Sequence, residues 1–230
     1  MTWAIPASAQ PFLPVAGSDQ KFPVRRIYCV GQNYAAHARE MGSNPDRELP
    51  FFFSKPADTL VPDGATISYP PGTSNLHHEV ELVVAIGTGG RDIAVKDALD
   101  HVWGYAVGND LTRRDIQAEA KAAGRPWDMA KGFDHSAPCG ELHPVGETGH
   151  FKQGRIALSV NGEARQTSDL SDLIWSVEEV IAYLSSLVEL MPGDLIFTGT
   201  PEGVSELTHG DHCVAEIDGL GRVETHIEAE

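Results

Sequence analysis

Apolar residues along this chain recur in short runs closed by Gly, Pro or Asn, the pattern of strands and turns rather than of long helices. Strands are predicted at 25–31, at 51–56, from about 79 to 87 and at 195–198, with a further apolar run at 102–107. Residues 156–166 read as a hairpin, because Asn161-Gly162 suits a two-residue turn between β-rich segments. Two more strands are expected in the tail, over 210–228, around Gly219-Leu220-Gly221. Helices are predicted over 33–41, over 95–102 and over 113–123. Thr112 with Asp115 forms an acid variant of the capping box for the third of these, and Gly124 stops it. The longest helical pattern spans 170–188, where nine apolar residues keep helical spacing, as in an amphipathic core helix. A polar loop is expected at 43–48, and turn chemistry at Val61-Pro62-Asp63-Gly64 and Pro192-Gly193-Asp194. Residues 1–24, rich in Pro and Ala, are expected to form an extended arm, and 25–230 a single domain. Many short strands with few helices predict a mainly β fold, a rolled or sandwiched sheet.

Composition narrows the function. The 230 residues suffice for a substantial core, and 41% hydrophobic with 22% charged residues is ordinary for a globular protein. The 33 acids outnumber the 17 Lys and Arg, giving a net charge of −16. No basic run or aromatic–basic interleaving occurs, so nucleic acid and anionic membranes are unfavoured partners. No apolar stretch approaches the ~18 residues of a membrane span, and the first 17 residues lack the basic and apolar segments of a signal peptide. Cys29, Cys139 and Cys213 are odd in number and widely spaced, which suits a reducing cytosol rather than a disulfide frame or a zinc site. Nucleotide-binding glycine motifs and the G-x-S-x-G elbow are missing, which gives no support to a nucleotide-binding α/β unit or a serine hydrolase of α/β type.

Candidate chemistry starts with Glu79 and Glu81 in His78-Glu79-Val80-Glu81-Leu82-Val83-Val84. At i and i+2 of a strand, both carboxylates leave by one face, while Val80, Leu82 and Val84 leave by the other. On a buried face, like charges repel and desolvate badly, and a divalent cation relieves both costs. An all-oxygen ligand set suits Mg2+, Mn2+ or Ca2+ rather than Zn2+. The plainer alternative is a solvated face. Asp110 supplies a third acid at the end of the 102–107 run. His37 and Glu40, three apart in a helical turn, can form a base and its orienting carboxylate, or an ordinary surface pair. Arg114 and Gln117 share a helix face near Asp110, where a carboxylate can be held, or where the cation is merely solvated. Lys131 sits beside Gly132 in a loop, Thr200 in a turn after an apolar strand, and Lys55 at the end of a very apolar strand.

Six motifs then occur in order: Val30-Gly31-Gln32-Asn33-Tyr34-Ala35-Ala36-His37, Phe53-Ser54-Lys55-Pro56, His78-Glu79-Val80-Glu81-Leu82, Gly108-Asn109-Asp110-Leu111-Thr112-Arg113-Arg114-Asp115-Ile116-Gln117, Ala130-Lys131-Gly132-Phe133-Asp134 and Thr198-Gly199-Thr200-Pro201-Glu202-Gly203. Together they resemble the fumarylacetoacetate hydrolase superfamily from about Arg25 to the C-terminus. The compact length is similar to its acylpyruvate hydrolase branch, including fumarylpyruvate hydrolases of aromatic catabolism. The resemblance implies a mixed β-sandwich roll and a homodimer, and the cysteine usage a cytoplasmic location. It implies Mg2+ or Mn2+, with Ca2+ as a substitute, on Glu79, Glu81 and Asp110. His37 with Glu40 would activate water on a short lid helix, and Lys131 would be the cationic catalytic partner. Arg114, Gln117 and Thr200 would bind substrate, with Tyr34 and Lys55 also on the pocket. The implied reaction is hydrolysis of a 2,4-dioxo acid, a small anionic substrate, to pyruvate and a second acid. Oxaloacetate decarboxylation or dienoate isomerisation and hydration on the same site are alternatives, as is a non-catalytic Ca2+-stabilised binding module.

Overall fold

The computed structural model describes residues 2–42 and 48–229. Residues 43–47 of the expected polar loop lie outside the described residues. Two sheets form the body. The first runs, by neighbour, His143–Pro144, Val102–Asn109, Val80–Ile86, Asp194–Phe197, Arg26–Gly31 and Phe51–Lys55. It is antiparallel except where Asp194–Phe197 pairs in parallel with Arg26–Gly31. The second runs Glu163–Asp169, Arg155–Val160, His212–Ile217, Gly221–Ile227 and Ala65–Ile67. The mainly β expectation therefore holds.

The strand Val80–Ile86 is buried on both faces. Val80, Leu82, Val84 and Ile86 join the core shared with the second sheet and the helix Val177–Leu187. Val83 and Ala85, on the face of Glu81, join a separate core with Ile27, Cys29, Leu195 and Phe197. Leu13, Val15, Phe22 and Val24 pack into that core as well. The second half of the expected arm is thus a short antiparallel ribbon, Phe12–Pro14 with Lys21–Pro23, whose alternate apolar residues are sheltered by the sheet.

The hairpin forms as expected, with Asn161 at φ 53° and Gly162 at φ 82°, the backbone a type I′ turn requires. Two helix expectations are corrected. The segment 170–188 is divided into a 3₁₀ turn, Leu170–Asp172, and the helix Val177–Leu187. Asp169 and Ser176 each build a capping box, so each starts its own element, while Leu170 still packs in the same core and preserves the periodicity. The helix Arg114–Ala122 has no side-chain cap. The Thr112 hydroxyl instead donates to the Asp110 carbonyl, and Asp115 accepts from the Thr73 hydroxyl and the Ser74 N–H. The expected helices near 33–41 and 95–102 are the α-helix Ala35–Glu40 and the 3₁₀ helix Val95–His101. Among the described residues, no helix is long and apolar enough to cross a membrane.

Candidate metal and substrate site

Register brings the three acids together. Val80–Ile86 pairs antiparallel with Val102–Asn109 so that Val80 faces Asn109 and Glu81 faces Gly108. Glu79 and Asp110 are therefore the next residues at the same end of the ladder. The Asp110 N–H donates to the Glu79 carbonyl at 2.8 Å, and the Glu79 N–H to Asn109 Oδ1 at 2.9 Å. One carboxylate oxygen from each of Glu79, Glu81 and Asp110 lies within 4.8 Å of the others, and all three residues are buried. The solvated-face alternative is thereby excluded.

Two lysines and an arginine surround the acids. Lys131 Nζ reaches Glu79 Oε2 at 2.8 Å and Asp110 Oδ2 at 2.7 Å. Arg114 Nη2 reaches Glu79 Oε1 at 2.5 Å, and its Nη1 donates to Gln117 Oε1 at 2.6 Å. Lys55 Nζ lies 2.8 Å from Asp110 Oδ1 and also donates to the carbonyls of Leu111, Ser136 and Lys131. Burial opposes ionisation of Glu79, but the Lys131 and Arg114 cations outweigh it and hold this carboxyl below the ordinary range. Burial likewise works against the Lys131 ammonium, and Asp110 and Glu79 raise its pKa nonetheless. Glu81 differs: burial, with Asp110 and Glu79 beside it, pushes its carboxyl well above that range. Its close partner is the Gly199 N–H, at 2.7 Å from Oε2. Gly199 has φ +102°, and a Cβ there would stand 2.7 Å from Asn33 Cβ, so glycine lets this N–H reach the acid. Three buried carboxylates, one of them without an ion-pair partner among the described residues, form an all-oxygen donor set that fits a hard divalent ion.

The cleft above the acids is lined by His37, Arg114, Gln117, Lys131 and Thr200, with Gln32, Met41, Phe53 and Trp127 on its walls. His37 Nδ1 lies 3.1 Å from Glu40 Oε2, and Glu40 Oε1 accepts from the Gly203 N–H at 3.1 Å. A carboxylate only accepts, so Nδ1 carries the hydrogen and Nε2 keeps its lone pair. The Thr200 hydroxyl is held by Gln166 Nε2 at 2.8 Å. The same amide nitrogen donates to the Pro201 carbonyl, so Gln166 Oε1 must face the Val80 N–H and His78 Nδ1. His78 therefore carries its hydrogen on Nδ1, and Nε2 accepts from Ser205 Oγ at 2.9 Å. Burial lowers its pKa to about 4.

Tyr34 and Lys55, expected on the pocket, are off its wall. Lys55 is 2% exposed behind Asp110, where its ammonium donates to three backbone carbonyls and its charge faces the carboxylate at 2.8 Å. Tyr34 is 1% exposed, and its hydroxyl has no hydrogen-bond partner among the described residues. Sequence reading missed Gln166, Asn109, Met41 and Trp127. Asn109 lay inside a quoted motif, whereas nothing local marked the others. A second cluster, His212, Glu224 and His226, stands on paired strands. Its imidazoles stack 4.2 Å apart and 6° from parallel, so their in-plane lone pairs do not converge on one ion. His212 instead pairs with Glu224 at 2.8 Å.

Comparison with known proteins gives the family and the fold. Residues 26–228 match the family described as fumarylacetoacetate (FAA) hydrolase C-terminal. A crystal structure of fumarylpyruvate hydrolase from Pseudomonas aeruginosa, in complex with Mn2+ and pyruvate, is 54% identical, with a TM-score of 0.97 and 100% of both chains covered. A fumarylpyruvate hydrolase of Ralstonia is 45% identical over 185 residues, 80% of this chain and 96% of that one. Oxaloacetate tautomerase YcgM of Escherichia coli is 41% identical over 204 residues, 88% of this chain and 93% of that one.

Proposed function

The chain belongs to the fumarylacetoacetate hydrolase family, and from that premise we propose that it hydrolyses an acylpyruvate, with fumarylpyruvate as the favoured substrate. The supporting observation is the convergence of three buried acids beside Lys131, Arg114 and the His37–Glu40 pair in one cleft. The net reaction adds water across a C–C bond of R–CO–CH2–CO–COO−. The hydroxyl joins the acyl carbon to give R–COOH, and the methylene carbon gains a proton to give pyruvate.

Glu79, Glu81 and Asp110 would hold Mg2+ or Mn2+. When bound, that ion supplies Lewis acidity at the keto-acid end of the substrate. The likeness to the Mn2+ and pyruvate complex supports this choice of ion and product. Arg114 and Gln117, joined at 2.6 Å, present donors to the substrate carboxylate from one helix face. His37 accepts a water proton at Nε2, because Glu40 keeps the other nitrogen protonated and the ring fixed. Water attacks the distal carbonyl, and the C–C bond electrons leave toward the pyruvyl end. Lys131, buried and cationic, offsets the negative charge that develops there. His37 then returns its proton.

The oxaloacetate tautomerase relatives favour a second reading, in which the same site moves a proton on oxaloacetate without adding water. The His37–Glu40 base can serve either reaction, and the fumarylpyruvate hydrolase relatives favour hydrolysis. The test is pyruvate release from fumarylpyruvate, acetylpyruvate and oxaloacetate, in Mg2+ or Mn2+ against EDTA. Metal-dependent release from the acylpyruvates supports hydrolysis. Enol–keto exchange of oxaloacetate without acylpyruvate cleavage supports the second reading. Metal-dependent stability with no turnover would leave only a binding module. A homodimer is part of this reading through the family resemblance, and light scattering would measure it. Three buried free cysteines support a cytoplasmic, reducing location.

A further inference from the structure

Outside the acids, the cleft continues along one face of the helix Arg114–Ala122, past Arg114, Gln117 and Lys121, with Met41 and Trp127 also on its wall. Spacings of three and four residues put those three polar side chains in line. Lys121 comes seven residues after Arg114, so it lies about 10 Å further along the helix axis. The charge of this wall is opposite to that of the chain. With 33 acids against 17 Lys and Arg overall, the described residues lining it include two cations and no carboxylate.

The two cations differ in what they already hold. Arg114 is committed to Glu79 at 2.5 Å. Lys121 donates to the Met41 carbonyl at 2.9 Å, a neutral acceptor, and pairs with no carboxylate among the described residues. An ammonium carries three donors, so this bond aims the side chain and leaves capacity for an anion. The tether also joins the helix to the residue that follows the helix of His37 and Glu40.

We infer that the outer cleft holds a second carboxylate at the far end of the acylpyruvate, with Lys121 as its counter-charge, so that the enzyme selects dicarboxylic over monocarboxylic acylpyruvates. This rests on the acylpyruvate reading of the inner site. With the keto-acid end at the acids and Arg114, the acyl arm runs out along the helix face. Met41, Trp127 and Ala118 cover its carbon chain, and the terminal carboxylate arrives at Lys121. Because Lys121 is exposed, its contribution is modest and screened by salt.

The test compares fumarylpyruvate, which carries the second carboxylate, with acetylpyruvate, which ends in a methyl group, on the intact Mn2+-loaded protein and on Lys121→Met. The ratio of kcat/KM for the first substrate over the second is expected to fall about two- to fivefold in the variant. The change should lie in KM rather than kcat, and Lys121→Arg should recover most of it. The wild-type KM for fumarylpyruvate should rise with salt, and that dependence should weaken in Lys121→Met. An unchanged ratio overturns the inference, as does an equal loss on both substrates, which marks a structural role. Calorimetric binding of fumarate and crotonate separates the two levels. A wild-type preference for fumarate that Lys121→Met abolishes supports the outer site even if no pyruvate is ever released, a result that refutes only the inner-site reading. Equal wild-type affinities refute the outer site alone.

Discussion

Lys131 Nζ lies 2.7 Å from Asp110 Oδ2, with both side chains buried. The same ammonium also holds Glu79 at 2.8 Å, so one cation offsets two of the three acids. Removing one partner of a buried ion pair costs about 3–5 kcal/mol, because the other charge remains buried alone. Lys131→Met is expected to lose stability of that order in EDTA and to recover part of it on adding Mn2+. Urea unfolding with and without the ion checks both. A variant as stable as the wild type in EDTA would show that the ammonium is not what keeps these acids together.

Glu81 should respond in the opposite sense. Burial and two neighbouring acids disfavour its charge. Glu81→Gln keeps the shape and removes the repulsion, so its Tm in EDTA is expected at or above that of the wild type. It also removes a candidate ligand, so the rise in Tm with Mg2+ or Mn2+ should shrink and turnover should disappear. A variant that keeps the full metal response would exclude Glu81 from the ligand set.

His37 and Glu40 predict a graded pair of kinetic losses. General-base catalysis is worth about 10²–10⁴ in rate. His37→Ala should lose at least about 10² in kcat while its circular dichroism is unchanged. Glu40→Gln should lose less, because the amide oxygen can still accept from His37 Nδ1, more weakly than a carboxylate, and the imidazole stays in place. Unimpaired turnover in His37→Ala would remove it from the mechanism.

Acidification tests His78. Its pKa falls from an ordinary 6.5 to about 4 through burial. The folded state therefore takes up its proton later than the unfolded chain does. Stability is full above pH 6.5 and declines as pH falls from there toward 4. At pH 5 the loss from this residue is about 2 kcal/mol. Urea midpoints between pH 7 and 5 should fall more steeply for the wild type than for His78→Gln. Equal slopes would place the pH dependence elsewhere.

The legible parts of the fold were those decided by neighbours in sequence. Asn161-Gly162 made its hairpin because both residues tolerate the backbone that the turn requires. Helical spacing over 170–188 found the right core face but not the break, since Leu170 and Val177 serve the same core from separate elements. The Thr112–Asp115 cap failed because Thr73 and Ser74, some forty residues away in sequence, claimed the carboxylate first.

The sequence alone determined that Glu79 and Glu81 share a face, because alternate residues of a strand must, and its six ordered motifs determined the family. Whether that face was wet or buried was a tertiary matter. The ribbon 12–23 covers Val83 and Ala85 further along that face, Lys131, Arg114 and Gly199 close over the acids, and the pairing of Val80 with Asn109 set Asp110 beside Glu79. Only then did Lys131 gain two acids to bridge, and only then did Lys55 retire behind Asp110 rather than face the cleft. Charge and periodicity travel along the chain. Register, burial and the partner each cation finds depend on segments that meet only in three dimensions.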